Sequence, residues 1–368
     1  MVIRTITFHH EYNFGAMLQA YALIAYLRSL GHDVRAIDYR APYSPIRKVN
    51  FNWVPPELNL LVVRQLYCVY KYRRNKLEQK RRDAFEVFFN KYIPVTDIKY
   101  HSIEEIRANP PSADLYIAGS DQIWNTLFPN GTDPAFYLDF GGNTRRISYA
   151  ASIAVERIDD DKESFVKNHL RRFDDISVRE QSGQKLLDSY GFESCVVVDP
   201  VFFLDKYQWS EFCSDEMFKY KYILVYDFEP KGRRIARLAK RIARLMKCKI
   251  YSVGPFSHRY ADKSFVDVGP EVFLSMVNNA QCVISNSFHG TAFSIIFGKN
   301  FFVVDREDGL NVRMHDLLRK YGLTNRLADC DINDEMLLKS INYSRIENLL
   351  RQDIDNSKLY LLRQIRLA

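Results

Sequence analysis

Apolar and polar residues alternate over residues 2–8, a turn-rich run His9-His10-Glu11-Tyr12-Asn13-Phe14-Gly15 follows, and residues 16–30 read as a helix stopped by Gly31. A second apolar, β-branched run at 34–39 completes a β-α-β unit. Its length and its glycine stop suit a right-handed crossover between parallel strands. From 42 to 111 the pattern changes to a Pro55-Pro56 loop and a long basic helical stretch ending in Phe85, Val87, Phe88 and Phe89, which predicts a helical insertion. Short apolar runs of the kind buried in parallel sheets return at 115–118, 147–151, 176–178 and 195–198, each followed by polar residues.

After Asp199-Pro200 the same grammar restarts. Residues 222–226 predict a strand, and 231–247 a helix carrying Ile235, Leu238, Ile242, Leu245 and Met246; 250–253 predict a further strand. Val283 and Ile284 then lead through Ser285-Asn286-Ser287-Phe288-His289-Gly290 into a small-residue helix at 291–297 and a strand at 301–304. The expectation is an α/β protein of two domains with parallel sheets facing each other across a cleft: 1–205 with the insertion 42–111, and 206–340. A helix at 346–367, within a terminal segment 341–368, is expected to pack across the domains or on a partner.

Length agrees with two domains. The 368 residues, 47% hydrophobic and 26% charged, exceed what most single cores bury, and 15 Gly and 13 Pro spread along the chain exclude a collagenous or low-complexity protein. No run of roughly 18 apolar residues suggests a membrane span, and the first strand begins without the layout of a secretion signal. The six cysteines, Cys68, Cys195, Cys213, Cys248, Cys282 and Cys330, are far apart and form no zinc-type cluster, so they are expected to be reduced thiols in a cytoplasmic protein.

The net charge of +7 is local. Residues 64–82 hold Arg64, Lys71, Arg73, Arg74, Lys76, Lys80, Arg81 and Arg82 against one acid, Glu78, interleaved with Tyr67, Tyr70 and Tyr72. Such a run is either a solvated helix face or a surface for acidic headgroups, nucleic acid or an anionic substrate.

Ligands of open parallel sheets bind beyond the carboxyl ends of the strands, where helix N-termini converge. Those ends here carry Asn13 and Gly15, then Gly119-Ser120-Asp121-Gln122, Ser152, Arg179-Glu180, Asp199, Asp227 and residues 285–290. His289 lies before a helix N-terminus, in a position for acid–base work on an anion, or simply shapes the turn. Arg179 offers a fork for carboxylate or phosphate, or pairs internally with Glu180 or Asp199; Arg313 is a candidate of the same type. The polar loop around Trp124 reads as a sugar-binding loop, or as an Asx-type turn with Trp124 plugging the core. Asp199-Pro200 reads as a strand terminator, and Asn13 as a site or turn residue. The glycine fingerprints of dinucleotide and P-loop folds are absent, as are the serine-esterase elbow and the zinc-protease motif. No feature calls for a metal.

The ordered set Asn13-Phe14-Gly15-Ala16 with Gln19-Ala20-Tyr21-Ala22-Leu23, Gly119-Ser120-Asp121-Gln122-Ile123-Trp124-Asn125, Tyr149-Ala150-Ala151-Ser152, Ser177-Val178-Arg179-Glu180, Asp199-Pro200-Val201 and Ser287-Phe288-His289-Gly290-Thr291 resembles the polysaccharide pyruvyl transferase family over residues 10–325. The resemblance implies a GT-B-like pair of Rossmann-type domains that moves pyruvate from phosphoenolpyruvate onto two hydroxyls of one sugar, with no further cofactor. It implies that His289 is catalytic and that Arg179 holds the donor together with Ser287, Phe288, Gly290 and Arg313. Asn13, Gly15, Ser120, Asp121, Gln122 and Trp124 would face the acceptor. Many relatives carry Arg two residues before the histidine, where this chain has Ser287, so donor anchoring shifts to other groups such as Arg313 or backbone amides.

The acceptor implied is a sugar of a surface polysaccharide or its lipid-linked precursor. The basic stretch would then rest on the anionic inner face of the plasma membrane, with nucleic acid not expected as a partner. Two alternatives share the architecture: a nucleotide-sugar glycosyltransferase, and a non-catalytic subunit of a polysaccharide-assembly complex.

Overall fold

Strand β1 (Val2–Ile6) feeds helix α1 (Phe14–Ser29), and β2 (Asp33–Tyr39) returns parallel to β1, pairing Val2 with Asp33 and Thr5 with Ala36. The computed structural model describes residues 1–43, 61–213, 218–328 and 332–368, without the side chains of 61–70. The Pro55-Pro56 loop and Cys330 therefore lie outside the described residues, as do the side chains of Arg64, Tyr67, Cys68 and Tyr70. Asn13 starts α1 by accepting from the N–H groups of Gly15 and Ala16, at 3.0 and 3.3 Å, and so satisfies two donors a helix start leaves open.

The long helix α2 (Leu61–Tyr92) precedes β3 (Val95–Tyr100) and α3 (Ile103–Ala108), and β4 (Leu115–Ala118) and β5 (Arg145–Ser148) follow. All are parallel, in the order β3-β2-β1-β4-β5. The helical insertion expected at 42–111 is thus corrected: residues 95–108 complete the sheet and its cover. After α4 (Asp160–Leu170), the short strands β6 (Ser177–Val178) and β7 (Cys195–Val196), separated by α5 (Gln181–Ser189), extend the sheet through bridges from Ile147 to Asp175 and Ala151 to Val178. Ile3, Ile6, Val34, Ile37, Leu115 and Ile117 are fully buried, as befits a parallel sheet covered on both faces.

Helix α6 (Lys206–Ser210) leads to the second half: β8 (Tyr222–Tyr226), α7 (Arg233–Met246), β9 (Lys249–Val253), β10 (Lys263–Phe265), α8 (Pro270–Asn279), β11 (Cys282–Ser285), α9 (Phe288–Ile296) and β12 (Phe301–Val303). This sheet is also parallel, in the order β10-β9-β8-β11-β12, which repeats the winding of the first. Helices α10 (Val312–Lys320), α11 (Asp334–Leu338) and α12 (Ser344–Leu367) close the chain.

Two devices join the halves. Phe14 at the start of α1 stacks on Phe273 of α8, with centroids 4.6 Å apart and planes 6° apart, and Phe85 of α2 stacks on Phe14 at 5.1 Å. Such pairs add about 0.5–1.5 kcal/mol each beyond the area they bury. Helix α12 crosses back from the second half to the first. Its Asp353 accepts from Tyr321 at 3.0 Å, while Ser357 accepts from the Val198 N–H at 2.9 Å and Gln364 donates to Asp175 at 2.8 Å. Among the described residues no helix is long and apolar enough to cross a membrane.

Candidate active site

The carboxyl ends of both sheets meet at Asp199, whose side chain is wholly enclosed. Its Oδ2 accepts from Arg179 Nη1 at 2.6 Å and from Ser120 Oγ at 3.0 Å, and faces His289 Nε2 at 3.4 Å. Its Oδ1 accepts the Val201 N–H at 3.1 Å. Burial alone would raise this carboxyl, but His289 and Arg179 hold it well below the usual carboxylate range. Residues just beyond β4, β6 and β7 and one from α9, far apart in sequence, therefore share one charge.

Arg179 is likewise buried, its guanidinium 4.1 Å above the Phe288 ring. Burial opposes its charge, yet Asp199, Asp121 and Glu180 raise its affinity for the proton further. Asp121 approaches Arg179 Nη2 at 3.6 Å and Arg313 Nη1 at 3.9 Å. Arg313 enters from α10, and burial together with the neighbouring Arg179 pushes it down to about 10, still charged at neutral pH. Glu180 fixes the adjoining loop: its Oε1 accepts from Ser152 Oγ and the N–H groups of Ile153 and Ala154, at 2.9 to 3.0 Å. Several nitrogens in this cluster face carboxylates without closing a hydrogen bond, namely Nε and Nη2 of Arg179 and Nε2 of His289, and Nε of Arg313 has no hydrogen-bond partner. Buried N–H groups left open in this way suit an incoming anion.

The loop 285–290 is shaped by two contacts. Ser287 caps α9, its Oγ accepting from the Gly290 N–H at 3.4 Å. Gly290 has no room for a side chain, since a Cβ there would lie 2.4 Å from Ser285 Oγ and 3.0 Å from Tyr226. His289 is thereby turned across the domain interface onto Gly15.

Two hollows adjoin the cluster. One of about 290 Å³ is lined by Arg179, Asp199, Phe288, Arg313 and Lys320. The other, about 440 Å³, lies in the first half against Asn13, Asp121, Gln122, Tyr39, Phe136 and His10. Asp121 borders the second hollow and touches both guanidiniums of the cluster. Its backbone is held at φ 74°, a conformation non-glycine residues seldom adopt.

The structure brings together Arg179, Ser287, Phe288, His289, Gly290, Arg313, Asn13, Gly15, Ser120, Asp121 and Gln122. Ser120 is enclosed and supports Asp199 rather than facing a cavity. Trp124 is not brought to the site. It is 1% exposed, donates to the Phe136 carbonyl at 3.1 Å and stacks on Tyr137, so the expectation of an acceptor contact is corrected to that of a core plug. The internal pairing weighed for Arg179 is present, with Asp199 as the partner. Sequence reading took Asp199 for a strand terminator and missed its central place. The available signal was a lone carboxylate at the end of a buried-type strand, level with Arg179 and His289.

The fold is that of GT-B proteins. AviGT4, a glycosyltransferase involved in avilamycin A biosynthesis, is similar at a TM-score of 0.53 and 12% identity, covering 100% of this chain and 98% of that one. A UDP-GlcNAc 2-epimerase from Methanocaldococcus jannaschii gives 0.50 at 12% identity, with 95% and 93% covered. UGT89C1 of Arabidopsis thaliana gives 0.50 at 10%, with 99% of each chain covered. No curated protein matches the chain in sequence. Residues 13–308 match the polysaccharide pyruvyl transferase family, and the chain belongs to it.

Proposed function

We propose that the protein transfers pyruvate from phosphoenolpyruvate to two hydroxyls of one sugar in a surface polysaccharide or its lipid-linked precursor, with no cofactor beyond that donor. The observation that supports this most is the convergence of Arg179, Arg313 and His289, each with a buried side-chain nitrogen that closes no hydrogen bond, beside the N-terminus of α9. A small trianion in the 290 Å³ hollow would engage the guanidiniums through charge-assisted hydrogen bonds. The hollow against Asn13, Asp121 and Gln122 would take the sugar, its polar groups and aromatic walls being suited to hydroxyls and ring faces.

Protonation of the donor's methylene carbon makes a methyl group and a cationic carbon bearing phosphate and carboxylate. One sugar hydroxyl adds to that carbon and loses its proton. The carbon–oxygen bond to phosphate breaks, and a second hydroxyl closes the ketal and loses its proton. Of the two hydroxyl protons, one balances the new methyl group and one the departing phosphate. We assign the proton carried in this sequence to His289, whose Nε2 faces Asp199 at 3.4 Å. Arg179, Arg313 and the amides at the start of α9 would hold the carboxylate and the leaving phosphate.

The test is thermal stabilisation by phosphoenolpyruvate beside uridine and guanosine diphosphates, followed by phosphate release with oligosaccharide acceptors. Stabilisation by phosphoenolpyruvate that disappears in Arg179→Ala supports the reading. Stabilisation by a nucleotide alone replaces it with glycosyl transfer.

A further inference from the structure

The basic stretch that the charge pattern singled out forms one wall of a large cleft, about 820 Å³, between α2 and the second half. Arg73, Arg74, Arg81 and Arg82 line it on one side; Tyr226 at the end of β8, with Phe228 and Phe256 beyond β8 and β9, lines it on the other. Two carboxylates, Glu11 and Glu78, also border it, and Glu78 is engaged by Arg82 at 2.8 Å. The cleft wall is thus net positive.

Arg81 is the informative member. It is 9% exposed, and its guanidinium lies over the rings of Phe14 and Phe85 at 5.3 and 5.2 Å. Its Nη2 donates to the Tyr12 carbonyl at 2.7 Å, but its Nη1 has no partner. Among the described residues no carboxylate forms an ion pair with Arg73, Arg74 or Arg81. Glu78 acts on Arg81 only from beyond contact while it is held by Arg82, and a buried guanidinium with no carboxylate in contact is costly unless an anion completes it.

Arg73 and Arg74 lie two helical turns from Arg81 and Arg82, roughly 11–12 Å along the axis. That spacing suits an extended anion with more than one charge better than a single carboxylate. The aromatic wall opposite leaves room for an organic portion.

We infer that this cleft is a second anion site, separate from the Arg179 cluster, and that it takes a phosphate or diphosphate ester between α2 and the aromatic loops of the second half. The inference stands on this cleft alone and does not depend on pyruvyl transfer. The cleft and the 440 Å³ hollow share Glu11 and Asn13 as lining residues, so one ligand can reach from the phosphate site to the hollow beside Asp121.

The probe is inorganic pyrophosphate, titrated against the full chain with thermal stability as readout. The wild type should show saturable stabilisation. The double variant Arg73→Gln/Arg74→Gln, which changes exposed side chains, should bind at least ten-fold more weakly, and Arg81→Lys should weaken binding without unfolding the chain. Arg179→Ala should leave the pyrophosphate response unchanged while losing that to phosphoenolpyruvate, which keeps the two sites distinguishable. No saturable response in the wild type, or an equal response in the double variant, overturns the inference. So does a double variant that loses binding to phosphatidylglycerol vesicles while its pyrophosphate response is intact, since these arginines would then face lipid.

Discussion

Gly15 and His289 touch across the domain interface so closely that a Cβ on Gly15 would lie 2.0 Å from Nδ1 of the imidazole. The first turn of α1 therefore sets how far the histidine can swing from Asp199. Gly15→Ala improves helix propensity by about 0.5–1 kcal/mol, but the added methyl must displace the ring or part the domains, at about 1–3 kcal/mol. The expected outcome is a fall in pyruvyl transfer of at least 100-fold with a modest loss of Tm. Wild-type turnover in Gly15→Ala would show that the position of the ring against α1 is irrelevant to the reaction.

Asp199→Asn leaves Arg179 buried beside a neutral amide and takes from His289 the charge it faces. Removing one partner of a buried pair costs about 3–5 kcal/mol, so this variant should melt well below the wild type. The carboxyl is depressed in the folded chain, and its contribution to stability is therefore present above the ordinary carboxylate value of 3.8 and lost as pH falls below it. The Tm gap between wild type and Asp199→Asn should be widest near neutral pH and narrow in acid. A gap that does not change with pH would mean that Asp199 acts through packing and not through its charge.

Much of the fold was legible along the chain. Runs such as 115–118 and 222–226 are apolar enough to mark strands buried on both faces, and Gly31 marks the end of α1. Strand β3 was not, because Val95–Tyr100 lies at the sheet edge, exposes Asp97, Ile98 and Lys99 in a row instead of alternating, and follows a helical stretch. In the site, motif order pointed to Arg179, His289 and Asp121. The place of Asp199 was hidden because its partners are 20, 79 and 90 residues away, and Trp124 misled because a buried indole and a sugar-facing one look alike in a single sequence.

His10, beside the proposed acceptor hollow, supplies a prediction about pH. Burial, then the charge of Arg40, pushes its imidazole down to about 4, despite Glu86 at 2.8 Å. A histidine depressed in the folded state is neutral there and takes up a proton on unfolding. Stability is therefore complete above the unfolded value of 6.5 and falls as pH drops toward 4. His10→Gln should flatten the wild-type decline in Tm between pH 6.5 and 4. Parallel curves for the two proteins would remove His10 as its source.

Arg313 and Arg179 lie on opposite sides of a trade between stability and binding. Arg179 is favoured as a cation by its carboxylates, whereas the charge on Arg313 is opposed by burial and by Arg179 itself. Folding thus works against Arg313, and a bound anion is what would relieve it. Arg313→Met should leave Tm unchanged or raise it, a gain of order 1 kcal/mol, since an apolar chain of similar length removes a poorly compensated charge. The same variant should raise KM for phosphoenolpyruvate at least ten-fold while leaving KM for the acceptor within two-fold, which steady-state kinetics with each substrate varied in turn would resolve. A destabilised Arg313→Met with unchanged donor KM would reverse the assignment, making Arg313 a structural partner of Asp121 and leaving the donor to Arg179 and the α9 amides.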